Sequence, residues 1–231
     1  MPYIWTLALF LTLYAAAIYL MKYIKNPKVA NPIFVALVFI PYVMLSLTVY
    51  LDVGFHDWNF QNTLPVANVS PFMFTCIPLA LILPKSAKKY FLLLISLLSV
   101  GMLLSSVFGC IYNAAIDYKF HIHFTYDYVS HFTLSLFGIY IIRSRQATLN
   151  KQNALISSSI IFGAATVMLL LNVIFDKAFF GLSLNGKHNI YNNVLHENSY
   201  VSALLYYSGL LVVLLLGYAY SSIFKREKFN I

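Results

Sequence analysis

Charge is scarce in this chain. Asp, Glu, Lys and Arg make up 10% of its 231 residues, against roughly 25% in soluble domains, while 61% are hydrophobic and the mean hydropathy is +0.77. That deficit excludes a water-soluble globule. Cysteine is scarcer still: Cys76 and Cys110 are the only two. They form no Cys-x-x-Cys spacing, which removes the usual Cys-framework readings, and both lie in apolar runs, where free cysteine behaves as a small buried hydrophobe. There is no internal repeat, no low-complexity tract and no inverted pair of Gly-broken spans of the kind that marks many transporters. Nor does a Lys or Arg precede the first apolar run, where a cleavable signal peptide would carry one. Lys22, Lys25 and Lys28 follow that run instead, the pattern expected of an uncleaved helix with its N-terminus outside.

Long apolar runs are what the chain does have. About 20 apolar residues cross a bilayer core, and seven stretches can be marked: Tyr3–Ile24, Pro32–Leu51, Leu64–Pro84, Tyr90–Tyr112, Asp127–Ile142, Asn153–Phe175 and Tyr200–Phe224. Backbone polar groups cannot stay unpaired in lipid, so spans of this length are expected to be helices. The expectation is an all-α membrane protein of seven transmembrane helices, one polytopic domain over residues 1–231, multi-pass in the cell membrane.

The few charges are sorted. Lys22, Lys25, Lys28, Lys85, Lys88, Lys89, Arg143, Arg145, Lys151, Lys225, Arg226 and Lys228 fall in alternate loops, twelve of the fifteen basic residues; only Lys119, Lys177 and Lys187 remain for the others. Positive charge in short loops marks the cytoplasm, which puts the N-terminus outside and the C-terminus in the cytoplasm. All six His and six of the seven acids lie towards the opposite ends of the spans. The net charge of +8 is thus a topological signal with some capacity to hold anionic lipid head groups. No basic cluster is dense enough to suggest nucleic acid.

The outer loops are long and aromatic: Asp52–Thr63, Asn113–Tyr126 and Asp176–Ser199. Such composition favours packed loops at the membrane interface. Pro41 falls in span two, and Pro65, Pro71 and Pro78 in span three. Each removes a helical donor, so span three is expected either to be irregular in its outer half and line a cavity or to be a plain kinked helix.

Ionisable side chains inside a span are costly and usually functional. His131 lies about one turn inside span five, and Asp127, four residues earlier, shares its helical face. An acid beside a His can fix its tautomer, as a general base requires; an interfacial hydrogen-bonded pair is the alternative. Asn68 and Ser70 of span three, Asn172 of span six, His56 and Asp57 of the first outer loop, and His196 and Glu197 before span seven reach the same outer level. Ser70 is the easier nucleophile, because Ser130 adjoins His131 and points elsewhere on a helix. Small polar residues also favour plain helix contacts in lipid. His121 and His123, with His131 following, are the only metal-like grouping; His-x-His in a loop is weak, and no metal or other cofactor is expected.

Three features together resemble the YwaF family of bacterial integral membrane proteins. They are Trp58 followed by Leu64-Pro65 at the head of span three, Asp127-Tyr-Val-Ser-His131 in span five, and Asn172 leading through an aromatic loop to a last span rich in Leu and Tyr. The resemblance covers about Trp58 to Tyr220, and the family is related to eukaryotic seven-span acyltransferases acting on phospholipids. It implies a seven-span fold with an outward-facing pocket. The family pattern at span three is Leu-Pro-x-His-x-Cys, whereas this chain reads Leu64-Pro65-Val66-Ala67-Asn68-Val69-Ser70, with Ala67 and Val69 in place of the His and Cys.

Two functions follow as expectations. One is a lipid-modifying enzyme performing acyl transfer or hydrolysis, with His131 as base, Asp127 as its orienting acid and Asn68 or Ser70 as oxyanion donor or nucleophile. His56, Asp57, Asn172, His196 and Glu197 would bind the substrate, a membrane lipid or lipid-linked molecule. The other is a non-enzymatic accessory or lipid-binding protein that docks a protein partner through its outer loops. A transporter ranks third, because the cytoplasmic halves of the spans are expected to hold almost no polar residue.

Overall fold

The computed structural model of the chain describes residues 2–24, 26–57, 69–115, 122–175 and 199–226. These form α1 (Pro2–Leu20), closed by a 3-10 turn (Met21–Tyr23), α2 (Pro27–Asp57), α3 (Val69–Ile82), α4 (Lys85–Ala115), α5 (Ile122–Arg143), α6 (Lys151–Phe175) and α7 (Ser199–Arg226). The protein is all-α, with no strand among the described residues. Five helices are long and apolar enough to cross a membrane: α1 with its turn, α2, α4, α6 and α7. The chain is built as a membrane protein.

Several boundaries move outward relative to the hydropathy reading. α2 continues to Asp57, so Asp52–Asp57, assigned above to the first outer loop, is helical. α4 starts at Lys85, which turns the presumed loop Lys85–Lys89 into its first turn. α5 starts at Ile122, five residues before the expected Asp127. In each case a helix outruns its apolar stretch, because intrahelical hydrogen bonds need no lipid once the backbone is already wound. Only part of span three is described. Its described helix is only fourteen residues, Val69–Ile82. Pro71 falls in its first turn, where a missing N–H belongs to the groups left unpaired anyway. Pro65 and the expected irregular stretch lie outside the described residues.

α4 is the hub. It packs on α5, α7, α6, α1 and α3, while α5 packs in turn on α2, α7 and α1. In α4 56% of the spanning window is buried, against 11–22% in the other four spanning helices, so α4 is the centre and those four form the rim. Leu92, Leu93, Leu94, Ile95, Leu97 and Leu98 are all buried, covering every face, as a helix enclosed by others requires. Rim helices instead expose Trp5, Leu9, Ile40, Leu155, Leu170, Ile174, Leu204 and Leu215, an apolar belt far larger than a soluble monomer carries.

Two glycines set how closely the hub is gripped. A Cβ on Gly138 of α5 would stand 2.5 Å from Ser99 Cβ, and one on Gly217 of α7 would collide with the Leu97 carbonyl oxygen. Only bare backbone fits at these crossings, the small-residue packing that draws helices together in lipid, where no hydrophobic force does so.

The helix ends at the basic loops are closed by local chemistry. Asn26 caps α2 (Asn26 Oδ1 accepts from Lys28 N, 3.0 Å), with Pro27 already preset for the first helical position. Asn150 caps α6 through Asn153 N (2.8 Å). After α5 the chain turns at Arg145, φ 55°. Gln146 N donates to Ile141 O (3.0 Å) and Arg145 N to Ile142 O (3.2 Å), the paired bonds of a Schellman stop. Side chains then tie this end across the bundle. Asn31 and Gln146 exchange two hydrogen bonds (2.6 and 3.1 Å), Lys225 Nζ donates to Leu149 O (2.9 Å), and Arg143 Nη1 donates to Ile18 O (2.7 Å). Lys22, Lys28, Lys85, Lys88, Lys89, Arg143, Arg145, Lys151, Lys225 and Arg226 therefore share one end of the bundle, as the charge pattern requires.

Candidate functional site

The histidine expected one turn inside span five is buried: His131 is 5% exposed. It is brought there by α5, whose next residues Phe132, Leu134 and Ser135 are also buried, so this stretch lies inside the bundle on nearly all sides. Its imidazole meets Phe74 of α3 edge to face, ring centroids 5.4 Å apart at 83°. Phe74 belongs to the buried face of α3 with Met73, Cys76 and Ile77. α3 and α5 run in the same direction, from the acid- and His-bearing end towards the basic end. One helical turn beyond the ring contact, towards the former end, stand position 127 on α5 and position 70 on α3.

Asp127 and Ser70 are thus helical positions bordering His131 and Phe74; their side chains lie outside what is described, as do those of His56 and Asp57 in the last turn of α2. Asn68, His196 and Glu197 fall outside the described residues altogether, and so does His121. Asn172 is buried at 3%, but on α6, whose main neighbour is α4 rather than α5. Position 70 of α3 and position 127 of α5 thus stand near the His131–Phe74 contact, while Asn172 belongs to a different helix pair. Among the described residues no three His, Cys, Asp or Glu side chains gather as a metal set would.

Ser130 has a different employment from catalysis. Its Oγ lies 3.0 Å from Tyr126 O and 3.2 Å from Val38 O of α2. Val38 adjoins Leu37, whose carbonyl loses its helical donor to Pro41, so the hydroxyl sits where α2 is locally short of donors. The sequence reading did not single out Ser106 of α4. It is buried, one turn from buried Cys110, and its hydroxyl has no hydrogen-bond partner among the described residues. Being one of several serines spaced along α4, it gave no local signal.

The basic half of the bundle corrects another expectation. It is far from devoid of polar groups. Tyr14 OH bonds Ser135 Oγ (2.7 Å) and Tyr220 OH (2.8 Å), joining α1, α5 and α7. Ser96 Oγ donates to Gly138 O (2.9 Å), and Ser221 Oγ donates to Ser96 O (3.3 Å). These groups come from four helices far apart in sequence, so no single apolar run reveals them. They satisfy one another, as buried hydroxyls in an apolar setting must, and they bind helices together instead of lining a path.

Comparison with protein-family models, characterised proteins and solved structures finds no significant match.

Proposed function

We propose that the chain is a multi-pass cell-membrane protein that modifies a lipid or lipid-linked substrate at its acid- and His-bearing end, by acyl transfer or hydrolysis. The observation behind this reading is the burial of an ionisable side chain, His131, inside a bundle of bilayer-spanning helices, a placement that is expensive and marks functional sites by default. In the proposed chemistry His131 takes a proton from Ser70 Oγ as that oxygen attacks the ester carbonyl, and Asp127 holds the imidazole in the required tautomer. Asn68 would donate to the developing oxyanion. The leaving alcohol receives the proton back, and an acceptor alcohol or water then releases the acyl group from Ser70. His56, Asp57, Asn172, His196 and Glu197 are assigned to the substrate head group. Seven crossings, with the N-terminus outside and the C-terminus cytoplasmic, belong to the same proposal. The resemblance to the YwaF family supports it; Ala67 and Val69 replace that family's His and Cys, which is why the nucleophile's role passes to Ser70.

A second reading, a non-enzymatic lipid-binding or accessory protein docking a partner through its outer loops, is favoured by the near-complete burial of His131 behind Phe74. Reconstitution in nanodiscs with acyl-labelled phospholipids separates the two. The enzyme reading expects release or transfer of label that falls about 10²- to 10⁴-fold in His131→Gln and comparably in Ser70→Ala, with both variants still folded. Turnover unchanged by His131→Gln would sink it, and a wild-type protein that retains labelled lipid without turning it over would establish the second reading.

A further inference from the structure

α5 is the main neighbour of α4, and the two run antiparallel, α4 away from the basic end and α5 back towards it. Two contacts fix their register. A Cβ on Gly138 of α5 would meet Ser99 Cβ of α4 at 2.5 Å, and one on Gly109 of α4 would meet Tyr128 Cε1 of α5 at 3.5 Å. Ser106 lies seven residues beyond Ser99 and three before Gly109, while His131 lies seven before Gly138 and three beyond Tyr128. Steps of three and seven keep each residue on the helical face that makes those contacts. The matched spacings therefore set Ser106 and His131 opposite each other across the seam. Both are buried, 2% and 5% exposed.

The seam widens along its length. A Cβ on Gly138 would also stand 3.1 Å from Ser96 Cα, so backbone lies on backbone there. At Gly109 it is the distal atoms of Tyr128, Cε1 and the hydroxyl oxygen, that come within 4 Å among the described residues. α4 and α5 thus stand farther apart towards the acid- and His-bearing end, and Ser106 and His131 flank the wider part. Ser106 also differs from the other helical serines in what its hydroxyl does. Ser96, Ser130, Ser144, Ser159 and Ser222 all donate to the carbonyl four residues earlier, the local recourse of a helical serine. Ser106 Oγ makes no such bond to Met102 O and has no partner among the described residues. A buried hydroxyl in that state is costly, and this one is turned away from the acceptor its own helix offers.

We infer that Ser106 belongs to the His131 site and donates its hydroxyl to the ester carbonyl of the lipid, an assignment that rests on the lipid-ester reading proposed above. It brings the hub helix into a site otherwise drawn from α3 and α5. A carbonyl presented to a nucleophile beside the imidazole lies in the wider part of the seam, where Ser106 is the hydroxyl that α4 supplies. Asn68 is the other donor of that reading. Two donors aimed at one oxygen suit the charge that develops there during attack, and they act most strongly where water is excluded.

Native mass spectrometry of the detergent-purified protein reads this hydrogen bond without turnover. The titrants are a diacyl phosphatidylethanolamine and its dialkyl ether analogue of equal chain length, which lacks the carbonyl. The wild-type protein is expected to bind the diacyl lipid about fivefold more tightly, the contribution of one neutral hydrogen bond. Ser106→Ala should remove that preference, with helical circular dichroism and elution volume confirming the fold. Ser99→Ala, which deletes a hydroxyl from the same face that is bonded within α4 to Ser96 O, should keep it. Equal binding of the two lipids by the wild-type protein, binding of neither, or a preference that survives Ser106→Ala overturns the inference. In nanodiscs with acyl-labelled phospholipid, Ser106→Ala should lower kcat about 10²-fold, and an unchanged kcat overturns it as well. A Ser106-dependent preference in a protein that releases no label would sink the enzyme reading alone.

Discussion

The two halves of the bundle each bury polar groups in apolar surroundings, and they differ in what they bury: among the described residues the buried imidazole, His131, stands in one of them. In the basic half several hydroxyls reach across to another helix: Tyr14 to Ser135 and Tyr220, Ser96 to the Gly138 carbonyl, Ser221 to the Ser96 carbonyl, while Ser99 Oγ bonds Ser96 O within α4 and buried Ser157 Oγ has no hydrogen-bond partner among the described residues. Arg143 closes the last turn of α1 through Ile18 O and lies over the Phe224 ring at 4.9 Å. In the other half His131 meets Phe74 edge to face, and Ser130 bonds the Tyr126 carbonyl of its own helix and the Val38 carbonyl of α2. Polar residues in the first half brace helices. The imidazole in the second is the group whose removal should disturb chemistry more than architecture. Stability measurements can therefore tell the halves apart.

The largest effect is expected at the tightest brace. Gly217→Val would drive a branched side chain into the Leu97 carbonyl and force α7 off α4, a loss of about 3 kcal/mol or more given what overpacking costs, read as failure to elute as a monodisperse species. Arg143→Ala comes next, removing a charged donor from the α1 terminus and the stack on Phe224. A loss of about 2 kcal/mol is expected from hydrogen bonds of this kind, measured as a drop in thermal midpoint in detergent. Tyr14→Phe deletes the hydroxyl shared by Ser135 and Tyr220, which still face each other's helices and can repair part of the damage. About 1 kcal/mol is expected. Smallest should be His131→Gln, which keeps an amide of similar reach and changes stability by about 1 kcal/mol or less. If His131→Gln proves as damaging to the thermal midpoint as Arg143→Ala, the contrast between the halves fails and His131 is a brace like the others.

Much of this was readable in one dimension. Every described helix overlaps an apolar run of the sequence, and five of them are long and apolar enough to cross a membrane. The sorting of Lys and Arg into alternate loops foretold which termini would share an end, and the structure gathers Lys22, Lys28, Arg143, Lys151 and Lys225 there. His131 was legible too, as an ionisable residue inside an apolar stretch. The helix ends were read less well. Asp52–Asp57 and Lys85–Lys89 look like loop by polarity, yet they continue helices whose backbone bonds were already formed.

The braces were not legible at all. Tyr14 and Tyr220 are 206 residues apart, and neither has a neighbour that hints at the other. Ser96 and Ser99 read as ordinary small polar residues until Gly138 is seen pressed against them. The expectation of an inner half almost free of polar groups failed for that reason: scattered hydroxyls are inconspicuous in separate helices and become a network only once the helices meet.

By itself, then, the amino-acid order determined that this chain must live among lipids, that it would wind into helices and which helix ends would carry the positive charge, since hydropathy and charge act locally on each segment. Tertiary structure decided that α4 would be the hub, that Phe74 would meet His131 and that two glycines would let helices approach closely. Those outcomes depend on which side chains face one another across helices, a relation between distant segments that no single span contains.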